Sequence, residues 1–184
     1  MQECPRCPQT VHLDRSNGQC VLAHIRSHVL HNVAIDRTLE PCGLCLHPTT
    51  LCTIYLRRWS ARNRHWTVRY GGTVPCPNVT NFSYATAMIS SESSPCSNVP
   101  VICPYCPDES PAIWRYNMRS HLKDRHRTVN AYKNKELWVL TKDEETAMAT
   151  VWKNRYKQPK KHGKGKHKLP LKLSEVHSSR NLSK

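Results

Sequence analysis

The sequence has few of the residues from which one large hydrophobic core is built. Its 184 residues include a single Phe, 38% hydrophobic residues, and a mean hydropathy of −0.65. No apolar run approaches the roughly 18 residues of a membrane-spanning helix, and the polar start MQECPRCPQT lacks the pattern of a secretory signal. Small domains this poor in apolar residues need disulfides or bound metal for stability. We therefore expect several small modules, each held by such a cross-link.

Cysteine and histidine are abundant, at ten and eleven residues. Without a secretory signal we expect a reducing compartment, where paired cysteines bind metal rather than form disulfides. Three Cys-x2-Cys pairs begin segments 1–34, 40–98 and 99–128; a helical segment at 129–157 and a basic, disordered tail at 158–184 follow. The predicted fold is a set of small zinc-stabilised α+β modules of the zinc-finger type. The first and third segments form a weak internal repeat.

The third segment has the ligand spacing of a zinc finger. Fourteen residues separate Cys106 from His121, and four more separate His121 from His126. A thiolate pair on a hairpin and two imidazoles on a helix beginning at Pro111 would complete a tetrahedral zinc site. The alternative, a redox loop, requires a thioredoxin-like βαβ pattern around CPYC that the sequence lacks. The predicted ligands are Cys103, Cys106, His121 and His126.

The first segment repeats this arrangement less regularly. Two histidines four residues apart, which share one helix face, follow the first cysteine pair. The predicted ligands are Cys4, Cys7, His24 and His28. Three further residues remain alternative ligands here: His12, Cys20 and His31.

The middle segment has one thiol more than a four-coordinate site needs. The pair Cys42 and Cys45 is followed by Cys52, Cys76 and Cys96. Cys52 alternates with apolar residues in CTIYL, so it is a candidate buried strand thiol. The predicted ligands are Cys42, Cys45, Cys76 and Cys96, with Cys52 as the alternative to Cys76 or Cys96. In total we expect about three Zn²⁺ ions.

The charge of the chain indicates a polyanionic partner. The net charge is +15 and the pI about 9.6, and the residues from 153 to the end contribute +10. Nucleic acid is the commonest such partner. If His121 is the seventh residue of a base-reading helix, Trp114, Asn117 and Ser120 take the reading positions, and Asn117 could pair with adenine. The predicted contact residues are Arg115, Asn117, Arg119, Ser120, Lys123, Arg125, Arg127, Lys160, Lys161, Lys164, Lys166 and Lys168.

Several stretches resemble a family of uncharacterised zinc-finger proteins predicted in mushroom-forming fungi. They are AHIRSHVLHNVAIDR (23–37), EPCGLC (40–45), FSYATA (82–87), SPCSNVPVICPYC (94–106), WRYNMRSHLKDRH (114–126) and MATVWKNR (148–155). The resemblance implies C2H2-type fingers, a nuclear and DNA-related role, and no established reaction. It also implies that the third-segment ligands are correct and that the central cysteines form a linked zinc cluster.

A further helix is predicted at 141–155, where Thr141 and Glu144 form a capping box. Its apolar stripe contains Ala147, Met148, Val151 and Trp152, which either dock on the zinc modules or bind a partner protein. The basic run that begins at 153 resembles a nuclear import signal.

We therefore expect a zinc-dependent, nuclear, nucleic-acid-binding protein without catalytic activity and without a membrane partner. DNA is favoured over RNA as its target. The sequence contains no His-Glu-x-x-His pattern and no nucleophile triad. The alternative function is a zinc-scaffolded adaptor for protein–protein interaction.

Overall fold

The computed structural model describes residues 2–14, 16–58, 66–69, 76 and 84–157. The tail predicted at 158–184 lies outside the described residues, together with its five candidate contact lysines. The tip of the hairpin in the middle segment, residues 59–65, lies outside them as well.

The described chain is a small α+β structure built from three short antiparallel strand pairs and four α-helices. The pairs are β1 (Gln2–Glu3) with β2 (His12–Leu13), β3 (Tyr55–Arg58) with β4 (Trp66–Arg69), and β5 (Pro100–Val101) with β6 (Ile113–Trp114). The helices are α1 (Gly18–His31), α2 (Tyr84–Ala87), α3 (Met118–Arg125) and α4 (Lys142–Lys153). Short 3₁₀ turns lie at Arg37–Leu39, Thr49–Leu51, Arg115–Asn117 and Ala131–Leu137.

Local sequence signals account for several helix boundaries. The Asn17 side chain accepts a hydrogen bond from the Cys20 backbone N–H at 3.2 Å, which caps α1. The Thr141 hydroxyl accepts one from the Glu144 backbone N–H at 3.2 Å, so the first half of the predicted capping box is present. The prediction that a helix begins at Pro111 is wrong. Residues 113–114 pair with 100–101 in a hairpin instead, and α3 begins at Met118.

The three cysteine-led segments meet in one hydrophobic cluster centred on Trp114. This side chain is 1% exposed, and a Cβ atom added at Gly43 would lie 2.7 Å from its ring. The Arg26 guanidinium from α1 lies over the same ring, 4.5 Å from its centroid, and Nε donates to the Gly43 carbonyl at 3.3 Å. One residue from each segment therefore contributes to the same contact, and the modules pack on one another.

Helix α4 packs along α1. Met148 is fully buried in a cluster that includes Ala23 and Val151, and Trp152 contacts the His28 ring edge-on with centroids 5.1 Å apart. The predicted apolar stripe therefore packs on the first module. Of the two roles expected for it, docking on the zinc modules is the one observed. None of the helices described is long and apolar enough to cross a membrane.

Candidate metal centres

The first centre consists of Cys4, Cys7, His24 and His28, whose ligand atoms lie within 4.8 Å of one another. The β1–β2 hairpin carries both thiols, and the buried face of α1 carries both imidazoles. The Sγ–Nε2 distances are 3.4 Å (Cys4–His28), 3.5 Å (Cys7–His24) and 3.3 Å (Cys7–His28). A tetrahedral zinc ion with ordinary bond lengths places sulfur and nitrogen about 3.5 Å apart. The four predicted ligands thus have the spacing that zinc requires.

The three alternative ligands lie elsewhere. Cys20 is exposed, His31 stacks on Trp152 with ring centroids 6.2 Å apart, and His12 lies 3.9 Å from the Glu3 carboxylate. The structure groups none of these three with the first centre.

The third centre brings together Cys103, Cys106, His121 and His126, as the spacing predicted. The Cys106 sulfur lies 3.3 Å from Nε2 of each histidine. Helix α3 ends at Arg125, and His126 has φ −126° and ψ 58°. Leaving the helical conformation at this residue allows an imidazole five positions after His121 to reach the same point.

The central centre consists of Cys42, Cys45, Cys52 and Cys76, all buried. The Sγ–Sγ distance is 3.9 Å for Cys42–Cys76 and 3.4 Å for Cys45–Cys52. Four thiolates around a tetrahedral zinc ion lie about 3.8 Å apart. The four sulfurs therefore fit one zinc ion.

The prediction of Cys96 as the fourth central ligand is wrong, and Cys52 takes that place. Residue 52 lies outside the strand that its alternation with apolar residues predicted, because β3 begins at Tyr55. Cys52 instead ends a 3₁₀ turn with φ −141° and ψ 68°. This conformation directs its sulfur towards the Cys-x2-Cys pair rather than onto a strand face.

Cys96 belongs to a buried polar network. Its sulfur accepts hydrogen bonds from the Tyr116 hydroxyl at 3.4 Å and from Arg26 Nη1 at 3.7 Å. The Tyr116 hydroxyl also lies 2.6 Å from the Glu144 carboxylate, which accepts from the Ser97 backbone N–H at 2.7 Å. Glu144 is 2% exposed. Although it is the second residue of the predicted capping box, its carboxylate bonds to Ser97 in the middle segment and not to the backbone at the start of α4.

A hydrogen bond from outside the third centre orients one of its ligands. Nδ1 of His121 donates to the Glu40 carboxylate at 2.7 Å, which leaves Nε2 free for metal. Glu40 lies two residues before Cys42 of the central centre, so two centres are linked through one side chain. The sequence offered no signal for this contact, because 81 residues separate the partners.

Burial keeps the imidazoles of the first centre in the protonation state that metal ligands require. Burial, followed by the charge of nearby Arg155, lowers the pKa of His24 to about 4, and burial also lowers that of His28 to about 4. Both imidazoles are thus neutral, as metal ligands must be. In the central centre, hydrogen bonds from three thiols lower the pKa of Cys42, while the bond to Cys42 raises that of Cys52. A zinc ion at this point would stabilise the ionised form of all four sulfurs.

All ten cysteines lie within the described residues and are free thiols, so no disulfide competes for these donors. The chain is thus a small α+β protein with three cysteine and histidine clusters, each of which could hold a zinc ion. This agrees with the three ions predicted. No protein-family model, curated protein or solved structure matches the chain.

The structure separates the predicted nucleic-acid contacts into buried and exposed residues. Asn117 is 1% exposed and donates from Nδ2 to the Pro41 carbonyl at 2.8 Å, so it is not available to a base. Trp114 is buried, and Ser120 is half-buried. Arg115 donates to the Ser97 hydroxyl and the Val139 carbonyl, at 3.1 and 3.0 Å. The exposed members are Arg119, Lys123, Arg125 and Arg127.

Proposed function

We propose that this protein is a zinc-scaffolded nucleic-acid-binding protein that holds its target through phosphate contacts. The observation that carries the proposal is the exposed basic segment at 118–135, which comprises α3 and the start of the following 3₁₀ turn. It contains six Arg and Lys and one Asp, for a net charge of +5. All six basic side chains are exposed. Lysine and arginine on such a surface contact phosphates without needing base geometry.

Aromatic side chains lie within this basic surface. The Arg119 guanidinium lies 5.6 Å from the Tyr132 ring centroid and 5.0 Å from that of Trp138, and it donates to the Tyr132 hydroxyl at 3.0 Å. Tyr132 is 65% exposed. Cationic groups beside an exposed ring suit a nucleic-acid backbone together with an unpaired base. These contacts also hold Arg119 at the surface in one position.

The binding is expected to depend little on base sequence. Two of the three base-reading positions are occupied within the protein, since Asn117 is bonded to Pro41 and Trp114 packs on Gly43. We keep DNA as the expected target and the nucleus as the expected location, with the basic run from 153 as the import signal. Each centre supplies four protein ligands, which leaves no open position for a catalytic water. We therefore propose no catalytic activity.

The adaptor alternative requires the apolar stripe of α4 to be free for a partner protein. The apolar stripe of α4 packs against α1, and its central residue Met148 is fully buried. A partner protein would therefore have to bind the polar face of this helix or another part of the molecule. The structure gives no specific reason to prefer that arrangement over the basic surface.

The proposal is tested by measuring binding of the zinc-loaded chain to fluorescent duplex and single-stranded oligonucleotides at increasing salt. A linear fall of log K with log salt is expected. Neutralising Arg125 and Arg127 with glutamine should reduce that slope by about 1 for each charge. Lys142→Gln, an exposed change outside the basic segment, is the matched control. Absence of binding at low salt would remove the proposal.

A further inference from the structure

A groove beside the first centre has the properties of an anion site. It lies between the first cysteine pair, the end of α1 and the end of α4, and its volume is about 510 Å³. Its polar and aromatic walls come from Arg6, His28, Asn32, Trp152, Arg155 and Tyr156. None of the nine lining residues is acidic.

The groove has a net positive charge. Two thiolates and two neutral imidazoles balance a zinc ion, so the first centre adds no charge of its own. The Arg6 and Arg155 guanidiniums therefore remain as two positive charges. Neither forms an ion pair with any residue in the described ranges. An anion entering the groove would meet both.

Contacts with neighbouring groups fix the orientation of the Arg155 guanidinium. Its guanidinium lies between two aromatic rings, 3.6 Å from the Trp152 centroid and 4.3 Å from that of Tyr156. Nη1 donates to the Trp152 carbonyl at 2.7 Å. Nε is buried and has no hydrogen-bond partner in the part of the chain that the structure describes. Because stacking fixes the plane of the guanidinium, little conformational freedom is left to lose when an anion binds its edge.

Another basic stretch of the sequence follows Lys157. Residues 158–184, which follow directly after α4 and its last turn, carry a net charge of +7. A second positive segment next in sequence to Arg155 and Tyr156 favours a ligand with repeated negative charges over a single small anion. A nucleic-acid strand carries one such charge on every nucleotide, and it is the ligand of the function proposed above.

We propose that the groove between Arg6 and Arg155 binds a backbone phosphate of a nucleic-acid strand. The proposal rests on the function proposed above, and it adds a specific position between the first cysteine pair and the ends of α1 and α4. Arg155 forms charge-assisted hydrogen bonds to the phosphate through Nη2, which bonds to no described residue, and Arg6 approaches from the first cysteine pair.

The test uses the zinc-loaded full chain and three ligands: inorganic phosphate, a labelled single-stranded oligonucleotide and a hexaglutamate peptide. Inorganic phosphate is titrated while the arginine Nε–H resonances are followed by NMR, and a labelled single-stranded oligonucleotide is titrated by fluorescence anisotropy. The variants are Arg155→Gln and Arg6→Gln. Lys157→Gln is the control, since it removes one exposed charge near the end of α4 but does not line the groove.

We expect phosphate to shift the Arg155 Nε–H resonance, and each arginine variant to weaken oligonucleotide binding roughly tenfold. The control should change binding less than threefold. Arg155→Lys, which keeps the charge but loses the planar edge, should bind nearly as weakly as the glutamine variant. A count of three bound zinc ions by native mass spectrometry shows that each variant is folded. Arg6 forms no hydrogen bond to a described residue, so the Arg6→Gln variant leaves the packing intact.

Two outcomes would overturn the inference, and they differ from one another. If the oligonucleotide binds but both arginine variants match Lys157→Gln, the groove is not the phosphate site, while the proposed function stands. If a hexaglutamate peptide binds in a manner sensitive to Arg155→Gln and the oligonucleotide does not bind, the groove recognises an acidic protein and the proposed function fails as well.

Discussion

Replacing Cys52 tests the most consequential feature of the structure, the choice of the fourth central ligand. The Cys52→Ser variant removes one of four sulfurs that lie 3.4 to 3.9 Å apart in the pairs measured. Serine is too short and too weak a metal ligand to replace a thiolate. The central centre should therefore lose much of its zinc affinity, while the first and third centres keep theirs.

The size of the effect follows from the number of ligands. Structural zinc sites contribute an apparent ~10–16 kcal/mol of binding free energy at neutral pH. Divided equally among four ligands, one thiolate contributes about 3 kcal/mol, or roughly a 100-fold change in the dissociation constant. Because Trp114 packs on Gly43 between two of these ligands, loss of the metal should also loosen the contact among all three segments.

The assay is native mass spectrometry against a series of chelator concentrations. The Cys52→Ser chain should pass from three bound ions to two at about 100-fold lower free chelator than the unchanged chain. The matched control is Cys96→Ser, which alters a thiol that is also buried but is bonded to Tyr116 and Arg26. That variant should keep three ions. Loss of one ion from Cys96→Ser, with three retained by Cys52→Ser, would show that the central ligand set is wrong.

Three further predictions concern the contacts around the centres. Glu40→Gln should weaken zinc binding at the third centre by about 10–100-fold, because the hydrogen bond that orients His121 loses its charge. Chelator competition measures this affinity. The control Glu136→Gln, at an exposed position, should leave it unchanged. Gly43→Ala should lower the free energy of unfolding by about 1–3 kcal/mol, since the new methyl group overlaps the Trp114 ring; an unchanged melting temperature would contradict the packing. Burial lowers the pKa of both first-centre histidines to about 4. Their contribution to the free energy of unfolding is therefore complete above about pH 6.5 and is lost as the pH falls towards 4. Calorimetry at several pH values measures this loss.

Local spacing was sufficient to predict the first and third centres. In each, a Cys-x2-Cys turn is followed by histidines four or five residues apart, and the chain geometry of a turn and a helix brings such residues to one point. The Thr141 cap of α4 is local in the same sense. These features depend on neighbours within a few residues, so they can be read before the fold is known.

The fourth central ligand and the role of α3 could not be read in this way. Cys52, Cys76 and Cys96 are separated by 20 residues or more, and which two join the Cys42–Cys45 pair depends on where the intervening loops pack. Likewise the sequence of residues 114–125 is compatible with a base-reading helix, and only the hydrogen bond to the Pro41 carbonyl makes Asn117 a structural residue. Covalent geometry acts over a single turn or helix, whereas burial is decided by the whole chain. For this reason the metal-binding chemistry was visible in the residue pattern, and the surfaces left free for a partner were not.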